Sequence, residues 1–167
     1  MSLISEEAEL WLLSSQAVMA ILNDVLELTH PELYQAGKEI LARLRQDELT
    51  NHKASLWSSV FTGISVMANR LTKPHIDRNG SHAWYDVLTT IGSYSNATLH
   101  LQELGLDLHY PSGTVVAFCA NLLTHEVDSW GEGDRICYAM FMRKAVLRHF
   151  GKDAVGWMTQ GFYSQKI

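Results

Sequence analysis

The sequence predicts a mainly β protein with flanking α-helices: an antiparallel sandwich or jelly roll, two helices before it and a short helix after it. Three observations carry this. Short apolar runs broken by turn residues fill residues 58–142, with no helical repeat between them. Before them, apolar residues recur every three or four positions. The 167 residues, 47% hydrophobic and 19% charged, suit one ordinary globular domain.

In chain order, Leu10, Leu13, Ala17, Ile21, Val25 and Leu28 form the apolar stripe of a first helix. Ser5 caps its start, and Glu6 and Glu7 suit its first turn. Thr29-His30-Pro31-Glu32 fits a capping box that opens a second helix, with Ala36, Ile40 and Leu44 on its apolar face. Residues 46–56 are polar and read as a connection. Strands are expected near 60–69, 85–92, 97–104, 106–110, 114–120, 122–127 and 135–142. Asn79-Gly80, Ser95-Asn96, Gly105, Pro111-Ser112-Gly113 and the stretch 128–134 supply the turns between them. A short helix over about 143–150 stops at Gly151, and the last stretch has no clear period. With no repeat and no linker, 1–167 reads as a single domain, its N-terminal helices in 1–56 and its β core in 57–150.

Cys119 and Cys137 lie in apolar strand-like runs and read as buried thiols of a reducing compartment. The N-terminus has early acids and no basic segment, unlike a signal peptide. No apolar run approaches the ~20 residues of a membrane span. An intracellular protein is expected. Net charge is −5, but residues 1–32 hold Glu6, Glu7, Glu9, Asp24, Glu27 and Glu32 with no Lys or Arg. Basic residues gather later, as Arg70, Lys73 and Arg78 and as Arg143, Lys144, Arg148 and Lys152. This is no strongly basic nucleic-acid binder, yet a local positive rim around a site is compatible with it.

The stretch TKPHIDRNG, residues 72–80, raises the chemical question. His75 and Asp77 lie at i and i+2, so in an extended chain both side chains point the same way and can grip one cation. A third ligand is needed. His125, a polar residue after the apolar run of LLTHEV, is the best placed; His100 and His109 are rivals that read better as structural or surface residues. Arg135 follows His125 by ten residues and opens a strand before an apolar run, an unfavourable place for a guanidinium unless it meets a carboxylate. Strands 122–127 and 135–142 form either a simple hairpin or, in a jelly roll, parts of different sheets. Two histidines and one carboxylate leave three adjacent positions open on an octahedral ion, the facial arrangement of non-haem Fe(II) oxygenases. Those positions suit a 2-oxo acid and then O2, and Arg135 suits the acid's far carboxylate. Zinc or manganese also suits such a set; the arginine favours the oxo-acid reading.

The segments PHIDRNG, WYDVLTTIGSY, YPSGTVVAFCANLLTHEV and GDRICYAMFMR resemble the TET/JBP-like oxygenase domains, found in many copies in fungal genomes, of the 2-oxoglutarate/Fe(II)-dependent dioxygenase superfamily. The resemblance covers about residues 57–150. It implies a double-stranded β-helix that oxidises a methyl group on a DNA nucleobase, such as 5-methylcytosine, thymine or N6-methyladenine. It implies Fe(II) held by His75, Asp77 and His125, with 2-oxoglutarate held by Arg135 and O2 as second cosubstrate. The chain lacks the cysteine-rich region of animal TET proteins and a separate DNA-binding domain. A base in duplex DNA would have to be flipped out of the stack. For that base, Trp84 or Tyr85 would stack and Asn79 or Asp86 would meet the polar edge; the competing reading makes Tyr85 a core residue and Trp84 a cover for the barrel mouth. DNA with a modified base is then the partner, and a nuclear location follows from it. Two alternatives stand beside this one: the same chemistry on a protein side chain or small metabolite, and an inactive jelly roll that binds metal or a partner.

Overall fold

A computed structural model describes residues 5–159. Four helices come first: α1 (Glu6–Ser14), α2 (Gln16–Thr29), α3 (Pro31–Gln46) and α4 (Asn51–Leu56). Eight strands follow: β1 (Gly63–Ala68), β2 (Thr72–His75), β3 (Asp86–Gly92), β4 (Thr98–Leu101), β5 (Leu106–His109), β6 (Val115–Phe118), β7 (His125–Val127) and β8 (Arg135–Phe141), with α5 (Lys144–His149) after them. The strands make two four-stranded antiparallel sheets, ordered β1-β8-β3-β6 and β2-β7-β4-β5. Successive strands alternate between the sheets except at the β4–β5 hairpin, which is the jelly-roll pattern. Among the described residues, no helix is long and apolar enough to cross a membrane.

The β1-β8-β3-β6 sheet is the central layer. In β3 five successive residues, Asp86 to Thr90, are buried, so both faces of the strand are covered. Val87 and Met140 turn to one side and pack with Leu22, Leu26, Leu33 and Ile40 of α2 and α3. Leu88 turns to the other side and packs with Leu99, Tyr110 and Phe118 between the sheets. The second sheet has one wet face: in β4, Leu99 and Leu101 are buried while Thr98 and His100 are less so. Each fully buried Leu or Ile contributes roughly 1.5–3 kcal/mol of transfer free energy.

The structure corrects several sequence expectations. The first helix is two, broken at Ser15. The stripe of Leu10, Leu13, Ile21 and Leu28 faces solvent, while Leu12, Met19, Leu22 and Leu26 are buried. Both stripes have helical spacing, and the packing partner selects between them. Ser5 does cap α1, accepting a hydrogen bond from the Ala8 N–H. The second cap is His30 rather than Thr29: its Nδ1 accepts from the Leu33 N–H at 3.4 Å while Nε2 donates to the Ala83 carbonyl at 3.0 Å. Burial lowers the His30 pKa, which matches that neutral ring. The supposed connection 46–56 contains α4, and residues 72–75 form a strand that apolar patterning did not reveal. Strands 122–127 and 135–142 form no hairpin; β7 and β8 lie in different sheets. Asn23 fastens α2 to the loop before β1, donating to Ser58 O and accepting from Ser59 Oγ and the Val60 N–H.

Helix α3 approaches the loop at Val60 through Gly37. A Cβ there would overlap the Val60 carbonyl oxygen and the Met142 methyl group. In an open helix interior, replacing Gly by Ala stabilises by roughly 1 kcal/mol. Here the steric term reverses the sign, and Gly37→Ala should destabilise the fold by about 1–3 kcal/mol. Urea unfolding measures this; a raised midpoint would show that α3 shifts away from Val60 at no cost.

Candidate functional site

The two sheets enclose a cavity of about 220 Å³. Its walls follow from strand alternation. Arg135, Cys137, Ala139 and Phe141 of β8 face inward, as do Asp86 and Leu88 of β3; His75 of β2 and His125 of β7 face them from the other sheet.

His75 and His125 are direct partners in the β2–β7 ladder, and their rings lie 4.2 Å apart between centroids. Asp77 follows His75 in the loop, where its N–H donates to Ala120 O and its own carbonyl accepts from Asn121 Nδ2. One ligand atom from each of His75, Asp77 and His125 lies within 4.8 Å of the other two. Both imidazoles are oriented alike: Nδ1 of His75 meets Lys73 O at 2.8 Å, and Nδ1 of His125 meets Leu123 O at 3.0 Å. A carbonyl only accepts, so each Nδ1 carries a hydrogen and Nε2 is the nitrogen left to serve as a ligand atom. Burial also lowers the His125 pKa, opposed by that carbonyl. Two imidazoles that present Nε2 as the ligand atom, with one carboxylate beside them, fit a divalent cation such as Fe(II), and the carbonyls supply the supporting shell that metal-binding histidines need. The rivals lie elsewhere. His100 is held by Asp107 at 2.6 Å and Asp128 at 3.3 Å, and His109 ends β5; neither lines the cavity.

Arg135 is 3% exposed and makes no ion pair with any described carboxylate. Its Nε has no hydrogen-bond partner, and neither do the Tyr110 and Thr90 hydroxyls. Tyr110, Trp130 and Tyr94 surround the guanidinium, with ring centroids 5.4, 5.6 and 6.0 Å from Cζ. Asn69 fixes the Arg135 backbone at both polar groups: its Oδ1 accepts from the Arg135 N–H and its own N–H donates to the Arg135 carbonyl. Asn69 adopts φ of 50°, a left-handed conformation that Asn tolerates. Sequence reasoning missed Asn69 and the aromatic cage; an Asn closing an apolar strand was the available signal. A buried cation without a counter-ion is costly, and the orphaned Tyr110 hydroxyl lines the cavity beside it. This end of the cavity fits a carboxylate.

Asp86 also faces the cavity, 5% exposed, and its carboxylate has no hydrogen bond or ion pair among the described residues. Burial, reinforced by the negative Asp77, pushes its pKa up to about 8. Asn79 lines the cavity too. Trp84 and Tyr85 do not. Trp84 is 1% exposed within the helix–sheet core, and its indole N–H donates to Val155 O. Tyr85 packs on the same core, edge-on to His30. Both rings pack in the helix–sheet core rather than line the cavity: Tyr85, next to Asp86, is on the opposite face of the chain, and Trp84 lies before β3 begins.

The basic residues divide. Arg148 pairs with Asp153, and Lys152 with Glu39. Arg143 and Asn79 line the cavity, and the Lys144 N–H donates to Asn79 O at 2.9 Å, joining the loop after Asp77 to the end of β8. Exposed Arg78, Arg143 and Lys144 therefore gather on one rim without described ion pairs.

Residues 5–144 match the family model Tet/JBP, the oxygenase domain of the 2OGFeDO superfamily. No curated protein matches the chain. Among 21 matching solved chains is NgTET1 in complex with 5mC DNA, 18% identical with a TM-score of 0.48. The alignment covers 75% of this chain and 53% of that one, so this chain spans about half the length of that protein.

Two outcomes test the site as built. Arg135→Met should hold or raise the thermal midpoint, because an unpaired buried charge is exchanged for an apolar side chain. A fall of more than about 4 °C would show that the guanidinium is already satisfied within the fold. His125→Ala should weaken Mn(II) binding, read by calorimetry, by more than the roughly 10–100-fold typical of losing a supporting partner. Unchanged affinity would place the cation elsewhere.

Proposed function

The chain belongs to the Tet/JBP oxygenase family, and from that premise we propose that it is a 2-oxoglutarate- and Fe(II)-dependent dioxygenase acting on a methyl group of a DNA nucleobase. The observation that carries the reading is Arg135. A buried, unpaired guanidinium faces the same cavity as the His75, Asp77 and His125 set. Nε2 of His75, Nε2 of His125 and the Asp77 carboxylate would hold the iron. When bound, Fe(II) with 2-oxoglutarate and O2 supplies oxidation: the oxo acid becomes succinate and CO2, and one oxygen atom enters a substrate C–H bond.

The chain's own residues do the rest. The Arg135 guanidinium, with the Tyr110 hydroxyl, receives the distal carboxylate of 2-oxoglutarate and sets its direction in the cavity. The Nδ1–H groups of His75 and His125 stay donated to the Lys73 and Leu123 carbonyls, which fixes each ring's orientation and leaves Nε2 as the metal-facing nitrogen. Apolar walls at Leu88, Leu99 and Ala139 limit water. At the rim, Arg78, Arg143 and Lys144 supply unpaired positive charge for backbone phosphates, which position a nucleic acid without reading its sequence. Asn79 and Asp86 face the space where a flipped base would enter. A nuclear site of action follows from a DNA substrate.

One reaction tests this. The protein is incubated with Fe(II), ascorbate, 2-oxoglutarate and duplex DNA carrying 5-methylcytosine, N6-methyladenine and thymine; succinate and digested nucleosides are then quantified by mass spectrometry. Oxidised base with matching succinate is expected, lost in His125→Ala, with a raised 2-oxoglutarate requirement in Arg135→Met. Succinate formed without DNA, with all bases intact, would move the search to a protein side chain or small metabolite. No succinate in any tube would leave a jelly roll that binds metal or a partner without turnover.

A further inference from the structure

We propose that the exposed apolar stripe of α1 and α2 is a docking site for an amphipathic helix of a partner protein, apolar along its middle and carrying Lys or Arg at both ends.

Helices α1 and α2 are apolar on two sides. One side is fully occupied by the fold. Leu12, Met19, Leu22 and Leu26 are buried, the Trp11 ring stacks on Tyr138 of β8, and Asn23 is fastened to the loop before β1. Both helices are therefore held in place without their second side. That side carries Leu10, Leu13, Ala17 and Ile21, all exposed; the three large residues are 64%, 45% and 58% accessible. Steps of three and four residues keep them on one line. The Ser15 N–H donates to Trp11 O and the Met19 N–H to Ser15 O, which carries the helical winding across the break at Ser15. At ~1.5 Å per residue the stripe is roughly 16 Å long, about three turns. A helix that is apolar all round is normally buried all round. Single exposed leucines are ordinary, whereas a line of them on a rigid support marks a contact surface. The stripe belongs to the helix side of the central sheet, away from the cavity between the sheets.

Charge identifies the occupant. Glu6 and Glu7 lie one turn before the stripe and Asp24 and Glu27 lie within two turns after it, all four exposed. Residues 1–32 contain no Lys or Arg. Helix α4, which packs against α1, brings Lys53, and that side chain lines a groove on the Leu12 side. The stripe is thus bracketed by negative charge. A second copy of this chain does not match it. Packed antiparallel, the copy would set Glu6 and Glu7 against Asp24 and Glu27; packed parallel, each acid would meet its twin. Like charges facing each other across an interface are costly. An anionic lipid surface is repelled for the same reason, since helices that lie on membranes carry Lys and Arg beside their apolar face. A partner helix with apolar residues at helical spacing, and basic residues one turn beyond each end, satisfies both features at once.

The test is fluorescence anisotropy of a labelled synthetic helical peptide with leucines along one face and lysines at both ends. Two control peptides have the same residues in scrambled order, or Glu in place of every Lys. Each is titrated with wild type, Leu13→Gln/Ile21→Gln and Asp24→Lys/Glu27→Lys, whose thermal midpoints confirm folding. Wild type should bind the basic amphipathic peptide roughly tenfold or more above either control, and each double variant should lose roughly tenfold or more of that affinity. Equal binding of the scrambled peptide would mean charge attraction alone and overturns the proposal. Binding unaltered in Leu13→Gln/Ile21→Gln, or no binding of any peptide, overturns it as well. A wild-type dimer in sedimentation analysis that this variant dissolves would assign the stripe to a second copy instead. Flotation with phosphatidylserine-containing vesicles, lost in the same variant, would assign it to a membrane; either outcome refutes the partner helix.

Discussion

A strand covered on both faces must satisfy two different partners through alternate side chains, and β3 is where this chain meets that constraint. Val87 goes to the helices and Leu88 to the space between the sheets. Polar residues in phase with Leu88 are committed to the interior, away from water. Asp86 and Thr90 share that phase, and β8 repeats the arrangement with Met140 outward and Arg135, Cys137, Ala139 and Phe141 inward. The helices are therefore more than an N-terminal decoration. By covering the outer face of the central sheet, they turn its inner face into a cavity wall and define which residues are available for chemistry.

That wall is electrostatically unfinished. An ordinary core pairs or excludes its charges, whereas here Arg135 and Asp86 stand unpaired at opposite ends of one strand pair. The aromatic cage of Tyr94, Tyr110 and Trp130 gives the guanidinium partial compensation, worth roughly 0.5–2 kcal/mol for each good contact. It does not replace a counter-ion. Local departures from a consistent core are expected where a fold serves a ligand, with the deficit offset by packing elsewhere. The backbone around the site is correspondingly over-determined: Asn69 holds Arg135, Asn121 holds Asp77, and carbonyls orient both imidazoles.

The sequence carried seven of the eight strands, the two-sheet arrangement and the polar residues worth following, because turn residues and period-2 alternation are local signals. His75 and Asp77 were readable for the same reason: in an extended segment, i and i+2 share a side. His125 and Arg135 required more, since nothing local separates a cavity histidine from a surface one. The helical stripe through Leu10, Leu13, Ile21 and Leu28 misled because two apolar stripes share one helical period, and only docking against the sheet distinguishes them. Trp84 and Tyr85 show the converse: an aromatic pair beside a polar residue looks like a binding element until packing against the helices places both rings in the core.

Composition, turn spacing and apolar patterning thus pointed by themselves to a sandwich or jelly roll behind helices, and to an H-x-D pair, a distant histidine and an arginine as its candidate site residues. Tertiary structure alone decided that β7 and β8 part into different sheets, that His75 and His125 become ladder neighbours, and that Arg135 and Asp86 are left unpaired at opposite ends of one cavity. The reason is physical. Strand propensity and alternation act over a few residues, whereas strand pairing and the lack of a charge partner depend on segments fifty residues or more apart meeting in space.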